Sequence, residues 1–278
     1  MITAELVKQL RERTGAGMME CKKALVAANG ELDAAAEQLR VQGLAKADKK
    51  ASRVAAEGTL VIERVGRRAV MVEVNCETDF VARREEFQGF AQSVAKAALS
   101  ANATSVEDVM RRPAAGGESL EEARKGLVAR IGENISVRRL AALEAPTALG
   151  TYLHGTRIGC LVALKGGSDE LARDVAMHAA AMNPEYLTPA HVPADIMEKE
   201  RAIFAEQTRG EGKPADILAK IVEGKLRKRL AEITLIGQPF VKDDKMTVEK
   251  LLKGGGAEVV GLVRFEVGAG IEKTSAAH

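Results

Sequence analysis

The sequence predicts an α+β fold, with an N-terminal three-helix bundle followed by a core of two related subdomains. Each subdomain is expected to be a small antiparallel sheet packed with helices, and the second also contains a helical, coiled-coil-like insertion. Three observations predict this class. Residues 2–55 show a helical period throughout, the alternation typical of strands begins at Gly58, and the order of hairpin, helices and final strand then occurs twice.

Three short helices are expected in residues 1–55. Thr3 can cap the first helix, because its hydroxyl accepts from an amide of the first turn, and Asn29-Gly30 ends the second. The third helix is predicted over residues 31–42, and the basic stretch 45–53 is predicted to be a short helix and a solvated linker. Residues 1–55 therefore form the first predicted domain.

Met18 and Met19 lie at the joint between the first two helices. They either pack the core of the bundle or form an adaptable binding surface, since methionine suits both roles. With this glycine-methionine joint, the bundle resembles a ubiquitin-associated domain.

The first core subdomain is predicted over residues 56–145, and its elements cover residues 59–64, 69–74, 79–100, 106–111, 119–131 and 137–143. Thr104 is expected to cap the short helix that follows the long one. Ser119 and Glu122 have the spacing of a capping box at the start of the next helix.

The second core subdomain, residues 146–278, is expected to repeat this order. It contains a hairpin, a long helix, the two helices of the insertion, a short helix and a final strand, at residues 149–154, 158–164, 168–182, 193–208, 214–231, 248–252 and 259–267. The glycine-containing segment 210–212 separates the insertion helices, which together form a helical arm at about residues 193–231.

The segment 75–87 forms the corner between a strand and the long helix. Either Thr78 or Asp79 can cap that helix. Phe80 sits at the corner beside the Asp79 carboxylate, outside the apolar stripe that begins at Phe87. Two interpretations stay open: Phe80 folds back on the core and Asp79 only caps the helix, or the pair is an aromatic anchor and a charge offered to a partner.

Composition excludes several classes of protein. The chain has 278 residues, a formal net charge of +2, six Phe, two Tyr and no Trp, which argues against a protein bound mainly to phosphates or stacked bases. No apolar run is long enough to span a bilayer, and the N-terminus lacks an export signal. The three cysteines lack the spacing of a zinc site. We expect a cytoplasmic protein with no metal, no cofactor and no direct nucleic-acid contact.

Catalysis by side chains is not expected. His154 lies on the second hairpin and is predicted to be an exposed contact residue, whereas His178, in an apolar helix, is predicted to be a satisfied core residue. Cys76 is predicted to be a small buried residue rather than an activated thiol. The pattern indicates a binding protein and not an enzyme.

Several long motifs occur in a fixed order: residues 10–19 (LRERTGAGMM), 21–25 (CKKAL), 75–81 (NCETDFV), 131–134 (IGEN), 237–240 (GQPF) and 263–268 (VRFEVG). In these motifs, and along nearly its whole length, the chain resembles the bacterial elongation factor Ts family. The helical arm is similar to the projecting coiled-coil arm of that family. Beyond the last predicted strand only a short tail, residues 270–278, remains, so the C-terminal helix of some members is not expected.

The resemblance implies a guanine-nucleotide exchange factor for the translational GTPase elongation factor Tu, bound in its GDP form and in its nucleotide-free form. A corner would insert between two helices of that partner, displace its magnesium and release GDP, so that GTP can bind. The residues matching this corner are Thr78, Asp79, Phe80 and Val81. The residues matching other partner-binding positions are Lys22, Ile131, Gly132 and His154.

Some alternatives stay open. A place in the core of this chain stays open as an alternative for Ile131, and the sequence does not decide between a dimer, a 2:2 complex and other stoichiometries. A ribosome- or tRNA-associated protein without exchange activity would use Lys49, Lys50 and the basic residues 227–229. An enzyme would use Cys76 or His154.

Overall fold

The computed structural model describes residues 2–210 and 212–272, and it has the predicted α+β architecture of small sheets packed with helices. The chain divides into two compact units. The first contains the described parts of Met1–Arg64, Val70–Ala142 and Phe265–His278, and the second contains Val65–Ala69 and Leu143–Arg264. The domain limits at residues 55 and 145 stay a prediction. Glu211 and the end of the predicted C-terminal tail lie outside the described residues.

The N-terminal bundle consists of α1 (Ala4–Thr14), α2 (Met18–Ala27) and α3 (Leu32–Lys50). The Thr3 hydroxyl accepts from the Leu6 amide at 3.2 Å, which confirms the predicted cap. The helices enclose a small core of their own, formed by Val7, Leu10, Cys21, Ala24, Leu25 and Ala35.

Helix α3 is longer than predicted, because it runs on through the stretch expected to be a linker. Gly43 and Ala47 of this extension are buried, and a Cβ at Gly43 would lie 3.0 Å from the Cβ of Ala129. This close packing against a later helix stabilises turns that show no apolar stripe in the sequence. The prediction of a short helix and linker was therefore wrong.

The first unit contains a sheet in the order β1-β2-β3 and four helices beside it. These elements are β1 (Glu57–Val65), β2 (Arg68–Cys76), α4 (Asp79–Ala82), α5 (Glu85–Ser100), α6 (Val106–Met110), α7 (Leu120–Ile131) and β3 (Ile135–Glu144). The Ser119–Glu122 capping box is confirmed. Helix α6 is capped by Ser105, whose hydroxyl accepts from the Asp108 amide at 3.1 Å, so the prediction of Thr104 was wrong.

A buried carboxylate ties this sheet to the segment that follows the last strand. Glu73 on β2 is 0% exposed, and its oxygens lie 3.1 Å from Arg138 Nη1 and 2.5 Å from Arg139 Nε. The same carboxylate accepts from the Gly268 amide at 2.8 Å and from the Asn75 side chain at 3.1 Å. Burial raises the pKa of Glu73, but the hydrogen bonds from Gly268, Asn75 and Arg139 outweigh it and hold the pKa below the usual value.

The second unit contains a sheet in the order β4-β5-β8. Its elements are β4 (Ala148–His154), β5 (Ile158–Gly166), α8 (Asp169–Met182), α9 (Ala194–Thr208), α10 (Ala215–Ile233), β6 (Pro239–Phe240), β7 (Asp243–Thr247), α11 (Val248–Gly254) and β8 (Ala257–Glu266). Strands β4 and β5 form the predicted hairpin, with Ala148 opposite Leu164 and His154 opposite Ile158. At Gly150 a Cβ would lie 2.1 Å from the carbonyl carbon of Ala172, so α8 approaches the sheet where β4 has no side chain.

The two insertion helices, α9 and α10, pair with each other. Arg201 lies 2.9 Å from Glu223, and Arg229 lies 3.3 Å from Glu200, which is the pattern of an antiparallel pair. Ile203 on α9 is 51% exposed, so it adds little apolar surface to this pairing. The short hairpin of β6 and β7 was not predicted, because a two-residue strand is too short to show alternation.

Candidate functional site

The strand-to-helix corner contains two helices where one was expected. Strand β2 ends at Cys76, and Thr78 caps α4, since its hydroxyl accepts from the Val81 amide at 3.4 Å. Helix α4 has only four residues. Arg84 then takes an extended conformation with ψ of 138° and precedes α5. The prediction of one continuous helix was wrong.

This break decides the direction of Phe80. A helix turns by about 100° per residue. On a continuous helix Phe80 would therefore share a face with Phe87, and Val81 would point about 120° away from Phe87. The expectation that Phe80 lies outside the apolar stripe therefore depends on the break. In the structure Val81 is 4% exposed and packs in the core, whereas Phe80 is 78% exposed. Phe80 faces outward, as the second of the two interpretations expected.

Asp79 lies beside the ring in the first turn of α4, where a carboxylate is favourably placed for the exposed amides. One of its oxygens is 2.8 Å from Arg83 Nη2, and both side chains reach solvent. An exposed pair of this kind adds little stability, about 0.2–1 kcal/mol. The Asp79 carboxylate is therefore available to exchange Arg83 for another donor.

A second carboxylate, Glu133, holds the backbone of the corner. Its Oε2 accepts from the amides of Glu77 at 3.1 Å and Thr78 at 3.0 Å, and its Oε1 accepts from the Thr78 hydroxyl at 2.6 Å. The contact is reciprocal, because Glu77 Oε1 accepts from the Asn134 amide at 2.6 Å. Sequence reasoning did not assign Glu133 a role. The partners are 55 residues apart, so no local pattern joins them.

The turn after α7 places two more of the predicted residues next to this contact. Gly132 ends α7 in the left-handed region, with φ of 90°. Its carbonyl accepts from Lys50 Nζ at 2.6 Å, and Ile131 is partly buried against the first unit's core. Hydrogen bonds from the Asn134 side chain to the carbonyls of Ala51, at 3.3 Å, and Arg53, at 2.7 Å, join the end of α3 to the same turn. Hydrogen bonds thus join Thr78, at the start of the corner, to the turn that contains Gly132 and Glu133.

The other two predicted partner-binding residues lie elsewhere. Lys22 is exposed on α2, and the neighbouring Met18 and Met19 are 51% and 64% exposed, so they do not pack the bundle core. His154 is exposed at the end of β4 in the second unit. Its ring stacks on Tyr152 with centroids 6.5 Å apart, and its Nδ1 lies 3.4 Å from the Tyr152 hydroxyl.

Comparison with known proteins identifies the family. A family model described as "Elongation factor TS" matches residues 77–269. The chain is 56% identical over 272 residues to "Elongation factor Ts" of Francisella tularensis subsp. novicida strain U112, covering 98% of this chain and 94% of that protein. It is 55% identical over 276 residues to "Elongation factor Ts" of Thioalkalivibrio sulfidiphilus strain HL-EbGR7, with the same coverage.

The chain belongs to the elongation factor Ts family. Membership makes it a translation elongation factor. The resemblance first seen in the motifs is confirmed, and the 77–269 match begins at Glu77 of the corner.

Cys76 and His178 are both held in the interior of this elongation factor Ts family member. Cys76 is buried and its thiol donates to the Thr78 carbonyl at 3.1 Å. Burial, with the nearby Glu133 charge, raises the pKa of Cys76 to about 12, which keeps it a thiol. His178 is 0% exposed and bonded on both ring nitrogens, by Gln238 at 3.0 Å and the Val241 amide at 3.1 Å. Both predictions for these buried residues are confirmed.

Two of the cations considered for an RNA-binding protein are already used inside the chain. Lys50 donates to the Gly132 carbonyl, and Arg229 pairs with Glu200. Among residues 2–210 and 212–272, no group of three or more His, Cys, Asp or Glu side chains is arranged to hold a metal ion. Within the same described residues, no helix has the length and apolar character needed to cross a bilayer.

Proposed function

We propose that this protein is a guanine-nucleotide exchange factor for the GTPase elongation factor Tu. It binds the GDP form, displaces the magnesium ion and promotes release of GDP, so that GTP can bind. The observation that carries this proposal is the exposure of Phe80. Its side chain is 78% exposed, on a corner whose backbone is held by hydrogen bonds to Glu133.

A phenylalanine as exposed as this one contributes little to the stability of its own chain. Burying such a ring in a partner is worth about 1.5–3 kcal/mol. Asp79 lies next to it and is held only by an exposed ion pair, so it can accept a hydrogen bond from the partner and set the register of the contact. A ring that enters between two helices of the partner separates them.

Magnesium is sensitive to such a movement. The ion requires near-ideal octahedral geometry, so a small displacement of its ligands weakens the binding of the ion. Loss of the ion in turn weakens the binding of GDP. Thermodynamic linkage makes the effect reciprocal. If this protein weakens the binding of GDP to elongation factor Tu by some factor, GDP weakens the binding of this protein by the same factor. GTP can therefore complete the exchange and release the factor.

Other contacts would hold the partner while the corner acts. We assign Lys22, Ile131, Gly132 and His154 to this interface. Lys22 and His154 are exposed, and Ile131 and Gly132 lie at a helix end bonded to the corner. In this scheme residues 1–55, 56–145 and 146–278 are the domains, the arm at about 193–231 is a further contact region, and the protein acts in the cytoplasm. The exchange is driven by binding, without side-chain chemistry.

Release of a fluorescent GDP from elongation factor Tu tests the proposal. The wild-type protein should accelerate release, and Phe80→Ala should abolish most of the acceleration while the far-ultraviolet circular dichroism and Tm stay unchanged. Val65→Ala is the matched control, since Val65 is also an apolar residue and is 69% exposed. The proposal fails if Phe80→Ala exchanges as fast as wild type. Salt-sensitive RNA binding without any acceleration would support the ribosome- or tRNA-associated alternative instead.

A further inference from the structure

Helix α4 cannot set its own direction. It has four residues, Asp79–Ala82, and an isolated helix of that length is unstable in water. The Phe80 ring is 78% exposed, so packing on the ring does little to orient it. Val81 and Ala82 pack in the core and hold the apolar side of α4. The direction of the ring therefore depends on this packing and on the contacts that fix the backbone at the start of α4.

Glu133 is the group that fixes this backbone from the polar side. Its carboxylate accepts two amides and one hydroxyl from Glu77 and Thr78, at 3.1, 3.0 and 2.6 Å. Hydrogen bonds to an ionised acceptor are about twice as strong as neutral ones. The Thr78 hydroxyl passes the constraint on, because the same oxygen accepts from the Val81 amide. Asp79 and Phe80 lie between these two anchored positions.

The carboxylate also connects the corner to a rigid support. Glu133 follows Gly132, whose carbonyl is bonded to Lys50 at the end of α3. Glu77 returns the contact through the Asn134 amide at 2.6 Å. On a corner without these hydrogen bonds, the ring would move aside when it meets a partner helix. On the hydrogen-bonded corner the ring keeps its position, so the partner helix has to move instead.

We propose that Glu133 is a positioning residue for nucleotide exchange, acting through Thr78 on the direction of Phe80. The inference rests on the proposed exchange function. Glu133 need not touch the partner. Its loss should slow GDP release at saturating concentration of this protein more than it weakens association, because the other contacts assigned above remain.

The test compares Glu133→Ala and Glu133→Gln with Glu122→Ala in the fluorescent-GDP assay. Glu122 is the matched control, because it accepts the Ser119 amide and hydroxyl, both at 3.0 Å, at the opposite end of α7. Glu133→Ala should slow the accelerated release by about ten- to a hundredfold, the range in which a displacement of about 1 Å slows a step that depends on precise geometry. Glu133→Gln keeps the side-chain volume and one acceptor oxygen, so it should lie between Glu133→Ala and wild type. Glu122→Ala should exchange normally.

Two further measurements separate positioning from general damage. Amide hydrogen exchange should show lost protection at Glu77 and Thr78 in Glu133→Ala. In a Phe80→Ala background, Glu133→Ala should have almost no further effect on GDP release, because its effect passes through the ring. If Glu133→Ala unfolds below the assay temperature, Glu133→Gln carries the same comparisons.

The outcomes are distinct. Normal exchange by both Glu133 variants, with exchange lost in Phe80→Ala, overturns the inference and leaves the proposed function standing. So does an equal loss from Glu133→Ala with and without Phe80, since the residue would then act by another route. Normal exchange by Phe80→Ala overturns the proposed function itself.

Discussion

Replacing Glu73 by glutamine should destabilise the first unit, because the carboxylate is fully buried and accepts from four donors. Two of the donors are Arg138 and Arg139, whose side chains are 26% and 32% exposed. Removing one partner of a buried ion pair costs about 3–5 kcal/mol, and the partial access of water to both arginines lowers this to about 2–4 kcal/mol. Glutamine has the right volume, but its amino group is a donor that faces other donors.

Urea unfolding followed by circular dichroism measures the effect, with Glu144→Gln as the control. Glu144 is an exposed carboxylate on β3, and its replacement should change stability by less than about 0.5 kcal/mol. Amide exchange at Gly268, which donates to Glu73 at 2.8 Å, should accelerate in Glu73→Gln alone. Unchanged stability together with an unchanged Gly268 amide would refute this account of the buried carboxylate.

The pH dependence gives a second check on the same residue. Because the pKa of Glu73 in the folded protein lies below its usual 4.5, the stabilisation is fully present above pH 4.5 and is lost as the pH falls through the folded pKa. The difference in unfolding free energy between wild type and Glu73→Gln should therefore shrink in that acid range. A difference that stays constant down to pH 3 would contradict the assignment.

Two other predictions concern a buried histidine and the docking of α3. Burial lowers the pKa of His178 from 6.5, so its contribution to the stability of the fold is full above pH 6.5 and is lost as the pH falls. Below pH 6.5 the wild type should therefore lose unfolding free energy relative to His178→Gln, with a slope of at most about 1.4 kcal/mol per pH unit. Parallel curves of stability against pH would contradict this. Gly43→Val should loosen α3 from α7 and cost about 1–3 kcal/mol, since even a Cβ would approach Ala129 to 3.0 Å. In the control, Gly224→Ala on α10 meets open space and should stabilise by about 0.5–1 kcal/mol; equal effects of the two changes on thermal unfolding would refute the packing argument.

Local patterns in the sequence were sufficient where the determining contacts are local. The caps at Thr3 and Ser119 join residues three positions apart, and the β4–β5 hairpin closes over three residues. In these cases the local pattern is also the physical cause. The capping hydroxyl stabilises the start of the helix, and the short turn brings the two strands together. The same holds for the burial of His178 within an apolar helix.

Contacts distant in the chain decided the rest. The length of α3 depends on Gly43 meeting Ala129, which no helical period within α3 reveals. The corner was recognised from residues 75–87, but its direction depends on the break at Arg84 and on Glu133.

The sequence by itself determined the family, the place of the corner in the chain and most of the order of helices and strands, because these follow from neighbouring residues and motifs. Only the tertiary structure decided that Phe80 faces outward while Val81 faces the core. The break between α4 and α5 changes the helical phase, and the anchoring carboxylate comes from a turn 55 residues away.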